Sequence, residues 1–169
     1  MTIARSGCLA FVVAAATALS GLAMAGAPAL AQTKQAAQSK PSKPAAGAKH
    51  KVAIQVNQND KAVMDLALNN AKNIADYFKS KGETVAIELV AYGPGLHMLR
   101  SDTSPVKERI SVMSLENPNM TFAACGNTQA NQAKAENKPV MLISEAKVTP
   151  SGVVRLMELQ KQGFAYIRP

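Results

Sequence analysis

The sequence predicts an α/β domain: a flavodoxin-like, three-layer α/β/α fold around a mostly parallel, five-stranded sheet. Two observations carry this. Strand-like runs alternate along the chain with helix-patterned segments, and the runs are continuously apolar rather than alternating apolar and polar. Strands of that kind are covered on both faces, which calls for helices on either side of a parallel sheet. The span from Lys51 to Pro169, about 119 residues, is also the ordinary size for one domain with one core.

The elements follow in order. Val52 to Val56 is a strand-like run, and Asn57 to Asp60 a polar turn. Lys61 to Lys81 places apolar residues at 63, 66, 67, 71, 74 and 78, a helical face, with Gly82 as the stop. Thr84 to Ala91, rich in β-branched and aliphatic residues, reads as a buried strand broken by Tyr92-Gly-Pro-Gly95. Ser104 and Pro105 open a helix to about Asn117. Met120 to Ala124 is the third strand, and after Cys125 a polar helix runs to about Asn137 with a thin Ala130/Ala133 stripe. Val140 to Ile143 and Ala146 to Val148 compete for the fourth strand, and periodicity does not choose between them. Thr149 and Pro150 open a last helix to Gln162, stopped by Gly163, and Phe164 to Ile167 is the last strand.

Residues 1–31 have the form of a secretory signal. Arg5 supplies the positive region, Leu9 to Leu22 the apolar region, and Ala29-Leu30-Ala31 a small-x-small cleavage site. The apolar run is shorter than the roughly 20 residues of a membrane span. No twin-arginine pair precedes it, so the expected route is general secretion, with a periplasmic product that is not stably inserted in the membrane. Residues 32–50, made of Gln, Ala, Ser, Lys and Pro without apolar periodicity, read as a disordered linker, with His50 incidental. Residues 51–169 form the domain.

The net charge of +8 belongs mostly to that leading region, because Arg5 and five lysines (34, 40, 43, 49 and 51) precede Val52. The domain itself is nearly balanced and has no basic run interleaved with aromatics, which argues against a nucleic-acid face.

The chain has two cysteines, and Cys8 lies in the signal segment. Cys125 is thus a lone thiol in an oxidising compartment, where small domains usually pair their cysteines. It stands at the carboxyl end of a strand, where open α/β sheets gather ligands and reactive groups, and immediately before a helix N-terminus, which lowers thiol pKa values. The bland alternative is a small buried hydrophobe.

Four stretches together resemble the DsrE/DsrF-like family, closest to its exported single-domain branch. They are Val52 to Gln58, Tyr92-Gly-Pro-Gly-Leu-His-Met98, Phe122-Ala-Ala-Cys-Gly-Asn-Thr128, and Pro150 to Val154 with Leu159 to Tyr166. The resemblance implies a sulfur-relay protein that holds a persulfide on Cys125, acts as a carrier rather than a turnover enzyme, and assembles into homo- or hetero-oligomers with a sulfur-donor or acceptor protein as partner. The family's Arg-Gly pair after the cysteine helix is missing here; Gly-Asn-Thr-Gln follows Cys125 instead.

Around Cys125 the candidate binding residues are Gly126, for close backbone approach, and Asn127 and Thr128, for a side-chain amide and hydroxyl. His97, Gly93 and Gly95 of the Gly-Pro-Gly loop and Ser151 of the last helix start complete the set. A rival reading is a non-catalytic small-ligand or protein-binding module with Cys125 buried. A third is Cu(I) held by Cys125 with His97 and Met98, soft ligands of the right kind. Gly93-x-Gly95 lacks the third glycine of a dinucleotide fingerprint, and no Walker loop, HExxH or CxxC occurs, so no cofactor or resident metal is expected.

Overall fold

The computed structural model describes residues 47–169. The expected signal segment and residues 32–46 of the expected linker lie outside the described residues. Five strands, β1 (His50–Val56), β2 (Val85–Ala91), β3 (Met120–Cys125), β4 (Ala146–Thr149) and β5 (Ala165–Ile167), form one sheet in the order β4-β3-β2-β1-β5. Every pairing is parallel. The expected three-layer α/β/α architecture and five-stranded parallel sheet are both present. The chain walks outward from β1 to β4 and then crosses back to place β5 on the other side of β1.

The two faces of the sheet differ in side-chain size. Val52, Ile54 and Val56 of β1, Ile87 and Leu89 of β2, and Phe122 of β3 share one face with Met64 and Leu68 of helix α1 (Lys61–Ser80) and Ile110 and Met113 of α2 (Lys107–Glu116). The other face presents Ala53, Ala86, Val90 and Ala123, and Leu156 and Leu159 of α4 (Gly152–Lys161) pack onto them with Phe164. Small strand residues let α4 approach the backbone closely. Cys125, in register with Thr149 at the end of β3, continues the Thr121/Ala123 alternation and so lies on the α4 side.

The fourth helix, α3 (Gly126–Glu136), buries none of its residues. The thin alanine stripe seen in the sequence supplies no core contact, so its attachment rests on polar groups.

Several expectations need correction. Ala146–Thr149 is the fourth strand, while Leu142 forms an isolated antiparallel bridge with Arg100 outside the sheet. The Gly-Pro-Gly segment is a 3-10 helix, Gly93–Leu99, rather than a plain loop. Helix α2 starts at Lys107, later than the Ser104-Pro105 signal, because the Ser104 hydroxyl donates to the Met98 carbonyl at 2.6 Å and serves the preceding turn. His50 belongs to the domain and not to the linker. It opens β1, its ring stacks on Phe78 with centroids 3.8 Å apart, and its Nε2 lies 2.7 Å from Glu83 Oε2.

Among the described residues, no helix is long and apolar enough to cross a membrane.

Candidate functional site

Strand β3 delivers Cys125 to the carboxyl edge of the sheet, and the chain turns there into α3 with Cys125 at the N-cap, φ −70° and ψ 112°. The side chain is 5 % exposed. The backbone N–H groups of Asn127 and Thr128 in the first turn of α3 lie against the sulfur, as does that of Gly152 in the first turn of α4. Two helix N-termini therefore converge on one sulfur atom and their dipoles favour negative charge there, the Asn127 N–H being shared with the Pro150 carbonyl at 3.2 Å.

The electrostatics follow from that geometry. Burial is the largest single influence on the thiol and pushes its pKa up. The Thr128 hydroxyl and the three backbone N–H groups act in the opposite direction and prevail, so Cys125 sits below the ordinary thiol value. The thiolate is the nucleophilic form, and the arrangement favours it inside a closed site.

Thr128 owes its aim to the Gly-Pro-Gly segment. Its Oγ1 accepts the backbone N–H of Gly93 at 3.0 Å, which leaves the single hydroxyl proton free for the sulfur. Gly93 reaches this position with φ +54°, in the left-handed region. Replacing Thr128 with valine is expected to raise the Cys125 pKa, because the hydroxyl's hydrogen bond to the charged sulfur is lost. Thr128→Ser should restore it. The pH profile of the thiolate's ultraviolet absorbance reads the shift directly.

The remaining candidates divide. Gly126 stands beside the sulfur, where an added Cβ would be 3.2 Å from the Thr149 carbonyl oxygen. Ser151 caps α4 by position only: its side chain makes no capping bond, while its carbonyl accepts the Arg155 N–H at 2.9 Å. Gly95 is a packing position, its absent Cβ overlapping the backbone of Val56 and Asn57 at the end of β1. His97 does not join the site: its Nδ1 pairs with the Thr103 hydroxyl at 3.0 Å, and it is not among the groups acting on the sulfur. Among the described residues, no group of three or more His, Cys, Asp and Glu is arranged to hold a metal ion.

Two contributors escaped the sequence reading. Tyr92 packs on Gly152, where an added Cβ would come within 2.8 Å of the Tyr92 Cβ. Its phenol is held above the usual value by burial, with Tyr166 and Cys125 adding to the effect and Arg168 and Asn57 opposing it. The second is Arg100, 1 % exposed, which ties the end of the 3-10 helix to α3. The Tyr92 of the Tyr-Gly-Pro-Gly motif was visible as a residue but not as a neighbour of the last helix.

Two open clefts among the described residues lie elsewhere. One is lined by Lys79, Glu83, Pro118 and Met120 at the amino ends of β2 and β3, and another lies between α1 and α2. Neither reaches Cys125.

Neither a family model nor a curated protein matches this chain. Among solved structures it is similar to a protein of unknown function, MTH1491, from Methanobacterium thermoautotrophicum. The two share 30 % identity and superpose with a TM-score of 0.60, over 71 % of this chain and 99 % of that one. The chain belongs to the same family as that archaeal protein. The relationship fixes the architecture of the domain, and the chemistry of the site is read from the residues themselves.

Proposed function

We propose that this chain is an exported sulfur carrier that holds sulfane sulfur on Cys125 as a persulfide. The observation that supports this most directly is the sulfur's position at two converging helix N-termini, which lowers its pKa in spite of burial. The resemblance of the four sequence stretches to the DsrE/DsrF-like family points the same way, as do the secretory features of residues 1–31.

The chemistry is a transfer without net redox change. The Cys125 thiolate attacks the outer sulfur of a donor persulfide, forming a new S–S bond while the donor's own S–S bond breaks. The bonding pair leaves on the donor thiolate. An acceptor thiolate then attacks the sulfur held on Cys125 and regenerates the Cys125 thiolate. The N–H groups of Asn127, Thr128 and Gly152 stabilise that leaving thiolate, so the return step draws on the same donors as the activation step. No cofactor takes part.

Association with further copies or with a donor or acceptor protein belongs to this reading. Helix α4 turns Val153, Val154 and Met157 to the solvent, each about half exposed, on the side away from the sheet.

Incubation of the protein with a polysulfide donor is expected to add the mass of one sulfur atom, lost again with a small thiol and absent in Cys125→Ser. Alkylation should follow a pH profile with its midpoint below that of an ordinary cysteine, about 8.5. A thiol that is alkylated only in denaturant and forms no adduct would sink the proposal. That outcome would favour the rival reading, a binding module in which Cys125 is a packed residue, which its burial supports. The third reading, Cu(I) held jointly by Cys125 and His97, is disfavoured by the pairing of His97 with Thr103; unchanged Cu(I) affinity in Cys125→Ser and His97→Ala would remove it.

A further inference from the structure

We infer that Arg100 is a positioning residue for the helix that carries Cys125, and that its polar latch onto α3 controls when the sulfur becomes accessible. The inference rests on the reading of Cys125 as the working group.

Helix α3 buries no residue, yet its first turn forms half of the sulfur site. Its attachments are polar. The Gln129 amide donates to the Val140 carbonyl at 2.8 Å, and the Gln132 amide to the Gly93 carbonyl at 3.4 Å. At its far end Glu136 meets Arg100. The Arg100 guanidinium donates through Nε and Nη2 to the two oxygens of Asp102 at 2.9 and 2.8 Å. Through Nη1 and Nη2 it grips the Glu136 carboxylate, the second contact measuring 2.9 Å. Nη1 also reaches Gln132 Oε1 at 3.4 Å.

Arg100 is itself held in place from behind. Its N–H donates to the His97 carbonyl at 3.3 Å, its carbonyl accepts from Ser104 at 3.2 Å, and it bridges to Leu142. A guanidinium that is 1 % exposed and fixed on one side makes a rigid anchor for the other side. Gln132 and Glu136 are four residues apart and so lie on one face of α3, where both meet that anchor.

Reaction at a sulfur that is 5 % exposed requires something to move. Displacing α4 would expose Leu156 and Leu159, both buried in the core. Displacing α3 takes none of its own side chains out of the core; beside the sulfur it uncovers only the Arg100 guanidinium, which keeps Asp102 and exchanges its other polar contacts for water, so it is the opening of lower cost. The closed latch then keeps the sulfur beside its hydrogen-bond donors and shielded from adventitious thiols, and opening presents it to a partner.

The test is the double variant Gln132→Ala/Glu136→Ala in the full chain. Alanine keeps the helix, and Arg100 retains both Asp102 bonds, so no buried charge is orphaned. Amide hydrogen exchange in α3 is expected to accelerate about tenfold, the loss of roughly one charge-assisted bond, while β1 to β3 are unchanged. Above the thiol midpoint, alkylation of Cys125 should accelerate by the same factor with the midpoint itself unmoved. Unchanged exchange in α3 overturns the inference. So does equal acceleration throughout the sheet, which would mean global unfolding, or a gain in alkylation matched by a shift of the midpoint, which would mean electrostatics. Faster α3 exchange and faster alkylation without any sulfur adduct would uphold the latch while removing the carrier reading.

Discussion

Glu88→Gln should destabilise the domain by about 3–5 kcal/mol, the usual cost of removing one partner from a buried ion pair. Glu88 of β2 and Arg155 of α4 are 4 % and 5 % exposed. Nε and Nη2 of Arg155 donate to the two carboxylate oxygens at 2.6 and 2.7 Å, a bidentate fork in the middle of an otherwise alanine-lined face. Glu88 holds the Arg155 pKa above its ordinary value, with burial acting against it. Neutral glutamine keeps the shape and removes the charge, leaving the guanidinium buried against an amide. The second carboxylate, Glu158 at 3.5 Å, is half exposed and compensates poorly. Replacing both partners together, Glu88→Leu with Arg155→Met, should come out near neutral, because the desolvation of both charges is then avoided. Urea unfolding of the two variants beside the unaltered protein measures this. A single-variant loss below about 1 kcal/mol would mean that the pair is effectively solvated. The pair also locates α4 over the sheet, so Glu88→Gln should weaken the Gly152 contribution at the sulfur and raise the Cys125 pKa.

Gly95→Ala is the second large effect, a loss of about 3 kcal/mol from overpacking. An added Cβ would collide with the carbonyl group of Val56 and lie 2.8 Å from the Asn57 Cα. These are backbone atoms of the central strand region and cannot rotate away. The 3-10 helix would have to lift from β1, carrying Gly93 away from Thr128. Gly126→Ala is the control: its nearest contacts are at 3.2 Å, and one of them is the tip of the Val148 side chain, so its cost should be about 1 kcal/mol or less. Equal stability of the two variants in denaturant unfolding would contradict the packing argument.

What could be read from the sequence was local. The runs at β1, β2 and β3 are continuously apolar because both faces are covered, and helix α1 shows its face and its Gly82 stop at φ +67°. Cys125 was readable because a strand, a glycine and a polar helix follow one another in sequence. The fourth strand was not, since Val140 to Ile143 is as apolar as Ala146 to Val148. Its Leu142 and Ile143 pack against the core of large side chains instead, while its backbone bonds to Leu99 and Ser101. Arg100 was invisible for a related reason: arginine is expected at the surface, and only the tertiary fold brings Asp102, Gln132 and Glu136 around it. The α4 start entered the reading only through the candidate Ser151; that the Gly152 N–H is the group that meets the sulfur was beyond pattern, because no local signal says which helix covers which strand end. Tyr92 was missed with it.

The sheet order has a kinetic consequence. Strands β1 to β3 and helices α1 and α2 follow one another and can nucleate together on the face of large side chains. Strand β5 instead pairs with β1, the strand farthest from it along the chain, and that closure carries a high loop-entropy barrier. Helix α4 docks with it. An intermediate that lacks this last step is therefore expected to hold native β1 to β3 pairing with a bare alanine face. Its Cys125 would have no Gly152 N–H beside it. Full activation of the thiol then arrives only with the final docking step, so a half-folded chain carries a comparatively unreactive sulfur.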